Sequence, residues 1–183
     1  MTRKLMLAVL VLLFTGTLAR ADETRGWFAG AGAGYGTQEL DISTADFADK
    51  TSTWKVFGGY RLMKFFHLEA AYVDFGKASD SLDLGAGNET IDIDTYGATF
   101  ELVGVLPLGE YFEVYGKGGY LWWNSKVSGP TVSDTNTGSD NTYGAGARIL
   151  IAKKFGFRLE YERFDIKDTK QVYLTSLGFE WRF

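Results

Sequence analysis

The chain contains no cysteine, only two prolines and a single histidine, His67. Without thiols there is no disulfide framework, no thiolate metal site and no cysteine nucleophile. With one imidazole, a histidine-based catalytic triad has one base available. Lys and Arg form no cluster, which excludes recognition of nucleic acid by a basic patch. After residue 18 no stretch approaches the roughly 20 apolar residues that a membrane-spanning helix needs, so a mature chain that crosses a membrane must do so as a closed barrel. What the sequence does have is 23 Gly, 14 Phe, 10 Tyr and 5 Trp in 183 residues. That mixture favours many extended segments over long helices, in one domain.

The first 21 residues stand apart. Arg3 and Lys4 form a basic start, Leu5 to Leu18 is almost wholly apolar, and Ala19-Arg20-Ala21 supplies the small-x-small step that signal peptidase prefers. The apolar run is too short to span a bilayer as a helix. Residues 1–21 are therefore expected to be a cleaved signal peptide, with 22–183 as the mature domain. Cleavage removes Arg3, Lys4 and Arg20 and no acid, leaving sixteen basic residues against 23 acidic ones, a net charge of -7.

The mature chain alternates with a period of two in eight segments. Trp27, Ala29, Ala31, Ala33 and Tyr35 share one face of the first; Trp54, Val56 and Tyr60 of the second; Phe66, Leu68, Ala70 and Tyr72 of the third; Tyr96, Ala98, Phe100 and Leu102 of the fourth. Phe112, Val114, Tyr120 and Trp122 continue the pattern, then Tyr143, Ala145, Ala147, Ile149 and Ile151, then Phe155, Phe157, Leu159 and Tyr161, and finally Tyr173, Thr175, Leu177, Phe179, Trp181 and Phe183. Connections alternate in length. Residues 37–51, 76–90 and 124–139 read as long polar loops, whereas 62–64, 106–110 and 152–154 read as tight turns, with a fourth short outer loop near Lys167 to Lys170. The expected fold is all-β: an eight-stranded antiparallel up-and-down transmembrane β-barrel. With the N-terminus in the periplasm, an even strand count returns the C-terminus there and sends the long connections outside the cell, the arrangement of a bacterial outer-membrane protein.

Alternation alone also suits a soluble lipocalin-like barrel that binds a small apolar ligand. Aromatic placement favours the membrane: Trp27, Trp54, Tyr60, Tyr72, Tyr96, Phe112, Tyr120, Trp122, Tyr143, Phe155 and Phe183 fall near segment ends on the apolar face, as interface girdles require. The opposite face carries Lys55, Arg61, Lys117, Arg148, Arg158 and Arg182 with Glu69, Glu101, Glu113, Glu160, Glu162 and Glu180. An eight-stranded barrel is just wide enough to be filled by side chains, so this balanced set is expected to close the interior as a charge network.

The stretches Trp27-Phe-Ala-Gly-Ala-Gly-Ala-Gly-Tyr-Gly, Leu68-Glu-Ala-Ala-Tyr, Tyr115-Gly-Lys-Gly-Gly-Tyr, Gly144-Ala-Gly-Ala-Arg, Phe157-Arg-Leu-Glu-Tyr and Leu177-Gly-Phe-Glu-Trp-Arg-Phe resemble, in that order, the transmembrane domain of the OmpA and OmpX type over residues 26–183. The resemblance implies two interior ion pairs. Glu69 and Arg158 fit the first; Glu101 and Arg148 fit the second with reversed signs. It also implies that Tyr173, Leu177, Phe179, Trp181 and Phe183 form the signal read by the outer-membrane assembly machinery. Many relatives add a periplasmic peptidoglycan-binding domain, and wall anchoring is not expected here.

Chemistry is sparse. His67 and Glu69 share a face, but Leu68 and Ala70 occupy the outward positions where barrels that deacylate lipid A place His and Ser. Asp41, Asp46, Asp49, Asp80, Asp83, Asp92 and Asp94 lack calcium-loop spacing and read as solvated charge, with bridging of Ca²⁺ or Mg²⁺ to lipopolysaccharide phosphates as the alternative. Gly30-Ala31-Gly32-Ala33-Gly34 lies within a strand and reads as packing rather than nucleotide binding. The expectation is a structural and surface-interaction protein with no enzyme activity and no cofactor, touching membrane lipid, lipopolysaccharide, the assembly machinery and an unknown loop ligand. A narrow porin-like channel stands second, a lipid-modifying enzyme third. N-terminal sequencing of the mature protein is expected to begin at Asp22; a product that retains Met1 would show that the leader is not removed.

Overall fold

The computed structural model describes residues 25–42, 45–83, 88–128, 133–152, 154–165 and 172–183. The signal-peptide reading of residues 1–21 and the short connection near Lys167 to Lys170 lie outside them. Eight strands follow in order: β1 (Gly26–Ile42), β2 (Ala45–Met63), β3 (Phe66–Asp83), β4 (Asn88–Pro107), β5 (Phe112–Ser128), β6 (Ser133–Ile151), β7 (Phe155–Phe164) and β8 (Val172–Arg182). Each pairs antiparallel with the next, and β8 returns to β1 through the register Phe28↔Arg182 to Gln38↔Val172, closing the barrel. Closure removes the sheet edges that would otherwise present unpaired backbone groups.

The strands run further than the alternation of apolar residues. Where long loops are expected over 37–51, 76–90 and 124–139, the ladders continue to Ile42↔Ala45, Asp83↔Asn88 and Ser128↔Ser133. A hydrogen-bond ladder needs backbone groups in register rather than an apolar face, so Ser, Thr and Asp can extend a hairpin beyond the apolar band. The β7 and β8 strands have only 10 and 11 residues against 17 to 20 in the others. The far end of the barrel is thus uneven. There β3 to β6 remain paired, while the pairing of β2 with β3 stops at Trp54↔Asp74. A bulge follows, where Gly76 takes a left-handed φ of 77° and its N–H donates to the Asp74 carboxylate at 2.9 Å.

Side chains are distributed the opposite way from a soluble domain. Outward-facing Leu177 is 69% exposed and Ile149 55%, whereas inward-facing Arg148 is fully buried. Aromatic rows bound the outward apolar band. At the end carrying the termini Trp27 packs on Tyr60, and Trp181 on Phe183 and Phe155; at the other, Trp54, Tyr72 and Tyr96 form a row and Tyr161 stacks on Tyr173. Trp27 and Tyr35, eight residues apart on β1, are separated by about 26 Å along a strand. At the tilt of roughly 40° usual for such barrels this is about 20 Å along the axis, close to the height of a lipid-facing band.

The inward face of β1 is nearly bare because its neighbours come too close for side chains. A Cβ at Gly34 would overlap the Thr175 carbonyl oxygen and lie 2.6 Å from the Ser176 Cα. Gly34→Val is therefore expected to cost about 2 kcal/mol through overpacking of the β1–β8 closure; urea titration in micelles, read by the mobility difference between folded and boiled protein, measures it.

Candidate functional site

Because side chains alternate along a strand, successive inward positions stack as tiers along the barrel axis. The tier nearest the termini joins β5, β6 and β8. Arg148 reaches Glu113 at 2.7 Å and Glu180 at 2.9 Å, and Arg182 reaches Glu113 at 2.7 Å and Glu180 at 2.9 Å. Two arginines and two glutamates form a ring of alternating sign. Arg61 borders it and donates to the Arg25 carbonyl oxygen at 3.3 Å.

The next tier centres on Arg158 of β7. Its guanidinium forms a fork on Glu69 of β3, with contacts of 2.8 and 3.2 Å, pairs with Glu160 and donates Nε–H to the Tyr115 hydroxyl at 3.0 Å. It also lies 4.0 Å from the centroid of the Phe57 ring, a cation–π stack. Arg148 and Arg158 face each other in the β6–β7 register. Glu180 contacts both, and the Tyr115 ring lies against both guanidiniums, so their repulsion is offset within the tier.

Above Arg158 two lysines complete the set. Lys117 of β5 is 3.1 Å from Glu101, 3.4 Å from Glu69 and 3.5 Å from Glu160, and it pairs with Glu162. Lys55 of β2 pairs with Glu160 and Glu162. The side chains of Lys55, Glu69, Glu101, Lys117, Arg158, Glu160 and Glu162 are all almost fully withdrawn from solvent. At such depth a lone charge would cost several kcal/mol, and here each has opposite charges within contact distance.

Of the two pairs that the sequence resemblance suggests, Glu69 and Arg158 meet directly. Glu101 and Arg148 do not: Glu101 contacts Lys117, and Arg148 contacts Glu113 and Glu180. Register separates them, since the ladder from Arg148 passes through Glu113 to Pro107, six residues along β4 from Glu101. His67 is buried with its ring 5.8 Å from Phe28. Glu69, the acid nearest to it in sequence, is occupied by Arg158 and Lys117. The terminal residues Leu177, Phe179 and Trp181 face outward, and Phe179 packs on Phe155 and Phe157. Among the described residues, no cluster of three His, Asp or Glu side chains is placed to hold a metal ion; of the loop aspartates named above, all but Asp94 have side chains outside the described set.

Sequence reasoning missed two features. Tyr115 and Phe57 are part of the Arg158 site, although neither carries charge. Beyond the lysines, Val73, Phe75, Leu121, Phe164, Val172 and Leu174 are buried in one cluster with Ala71, Phe57 and Phe28, with Thr142 and Asp140 buried on β6. Running the period of two past Ser176 to Leu174 and Val172, and past Glu162 to Phe164, is the signal that could have revealed this layer.

Removing Arg158 leaves Glu69 and Glu160 with less compensation. Arg158→Leu is expected to destabilise the barrel by about 3–5 kcal/mol. Arg158→Lys, which keeps the charge and loses the fork, should cost less. Urea unfolding of both variants beside the parent checks the order.

The sequence pattern of the outer membrane protein beta-barrel domain matches residues 5–183. Among curated proteins none matches the chain. Solved structures with the same fold include Neisserial surface protein A, at 12% identity and a TM-score of 0.71, covering 86% of this chain and 97% of that one. Ail, the attachment invasion locus protein of Yersinia pestis, in complex with the heparin analogue sucrose octasulfate, is 18% identical with a TM-score of 0.60, covering 86% and 99%. The N-terminal β-barrel domain of Pseudomonas aeruginosa OprF is 13% identical with a TM-score of 0.60, covering 87% and 98%. A closed eight-stranded antiparallel barrel, apolar outside and charged within, thus coincides with a family match over nearly its whole length: the chain belongs to the outer membrane protein beta-barrel domain family.

Proposed function

We propose that residues 22–183, exported behind a cleaved leader, form a structural barrel of the bacterial outer membrane with both termini periplasmic. The long hairpins β1–β2, β3–β4 and β5–β6 then project from the cell as an interaction surface. The observation that carries this reading is the inverted side-chain distribution, with Leu177 and its outward neighbours exposed and Arg148 and Arg158 buried. Only an apolar medium around the wall makes that arrangement favourable. The interior ion pairs support a closed barrel: Glu69 and Arg158 lie on β3 and β7, opposite sides of an eight-stranded ring, and their contact bridges the lumen. On this reading the charge network acts as a plug, the protein is not an enzyme, and the aromatic segment Tyr173 to Phe183 serves as the signal to the assembly machinery.

The sulfated ligand seen with Ail does not suit the projecting hairpins here. One carries Glu39, Asp41, Asp46 and Asp49 against Lys50, and the next carries Asp80, Asp83, Glu89, Asp92 and Asp94 against Lys77. Acidic hairpins repel polyanions. Their partner is a cationic surface, or lipopolysaccharide phosphate reached through divalent cations.

Two measurements test the reading. A urea-washed outer-membrane fraction should retain the protein as a band whose mobility changes on boiling; recovery as a soluble periplasmic protein with no such change would overturn it. Refolded into planar bilayers, the barrel should show no discrete conductance steps, whereas steady steps would establish the narrow-channel alternative.

A further inference from the structure

Six of the eight strands carry the interior in a common order. From the terminal end outward, the inward positions run Lys117, Gly119, Leu121, Trp123 on β5; Glu160, Glu162, Phe164 on β7; and Glu180, Gly178, Ser176, Leu174, Val172 on β8. On β3 Glu69 is followed by Ala71, Val73 and Phe75, on β2 Lys55 by Thr53, and on β4 Glu101 by Thr99. Charge gives way to small hydroxyl or apolar groups, and on four of these strands to large apolar ones. β6 departs from this order: Thr142 and Asp140, in register with Phe164 and Leu121, are buried, and the Asp140 carboxylate accepts the Trp123 indole N–H at 2.7 Å.

At that upper level the lumen is crossed a second time. Phe75 of β3 and Phe164 of β7 meet edge to face with ring centroids 5.0 Å apart. These are the same opposite strands that Glu69 and Arg158 bridge below. Leu121, Leu174 and Val172 fill in around the rings, each with 3% exposure or less. Phe75 is held at this point by the bulge after it. A Cβ at Gly76 would lie 2.5 Å from the Ser52 carbonyl oxygen and would have to adopt a φ that side chains disfavour.

We propose that Phe75 and Phe164, packed by Leu121, Val172 and Leu174, form a water-excluding apolar seal across the outer mouth of the barrel, above the ion-pair network and joined to it in packing through Phe57. A narrow constriction closed by apolar groups empties of water and blocks ions, and the Asp140 carboxylate beside Leu121 is engaged by the Trp123 indole N–H rather than offered to a passing ion. The seal gives the interior a sidedness that the charge network lacks. It keeps outside water and salt from the buried lysines and glutamates, whose attraction is strongest where water is excluded. Breaking one ion pair should therefore leave the outer mouth shut, whereas making the seal polar should open a path down to the hydroxyl tier. This rests on the closed membrane barrel proposed above.

The absence of native cysteine allows a direct test. Ser176 is buried immediately beneath Leu174 on the inward face of β8. Ser176→Cys is placed in the parent, in Phe75→Ser/Phe164→Ser, in Leu174→Ser and in Glu69→Gln. Each protein is folded in micelles, where both ends are open to solvent, and treated with a cationic, membrane-impermeant methanethiosulfonate. Labelling is read by mass only on the band that shifts on boiling. The parent and Glu69→Gln should label slowly, and the two seal variants at least tenfold faster. Leu174→Ser, a single change, supplies the answer should the double variant not fold. The proposal is overturned if Ser176→Cys labels rapidly in the parent, if the folded seal variants stay within twofold of it, or if Glu69→Gln opens the site as much as they do. A Thr137→Cys control, exposed on β6 opposite Asn124 and beyond the level of Trp122, is labelled in intact cells. If it reacts only after lysis, the orientation proposed above fails while the micelle rates still decide the seal.

Discussion

Every structural feature of this protein follows from the need to satisfy backbone N–H and C=O groups where no water is at hand. In hydrocarbon an unpaired peptide group costs several kcal/mol, so the sheet has to close. The ladder from Phe28↔Arg182 to Gln38↔Val172 closes it. The glycines of β1 are part of the same requirement, since the approach of β8 leaves no room for a side chain at Gly34. With the backbone satisfied within the wall, the outward face is free to be wholly apolar and the inward face free to be polar.

A polar inward face creates the second problem, which is how to bury twelve charges. The solution is mutual: each tier holds cations and anions in contact, and Arg158 binds several partners at once through its planar fork. Such a network is a poor source of net stability compared with an apolar core, but it is intolerant of loss. Its contacts run between strands far apart in sequence, such as Lys55 with Glu162 and Glu69 with Arg158. They fix which strands stand opposite one another. Around Phe75 and Phe164 packing of apolar side chains takes the place of ion pairing.

The fold was largely legible in the sequence because the period of two is a local property. Each of the eight segments could be assigned an inner and an outer face from its own residues, and Phe155, Phe157, Leu159 and Tyr161 against Arg158, Glu160 and Glu162 show how little context that requires. Strand length was less legible. The ladders over residues 37–51, 76–90 and 124–139 depend on backbone register, which Ser, Thr and Asp side chains do not advertise. The assignment of charged residues to the interior came from alternation, but their partners did not. Glu101 and Arg148 were matched by resemblance, and the register puts them with Lys117 and with Glu113 and Glu180 instead.

The sequence by itself determined the class of wall this chain builds: which faces are apolar, how many strands alternate, where aromatic residues bound the band, and that the inward charges balance. These are properties of neighbouring residues and of totals, and a linear chain carries both. Tertiary structure alone decided which charge meets which, that Tyr115 and Phe57 share the Arg158 site, and that Phe75 touches Phe164 across the lumen. Those contacts depend on the stagger between strands and on the width of the closed ring. A shift of one residue in register would reverse every inward position, and nothing short of the closed barrel fixes that value.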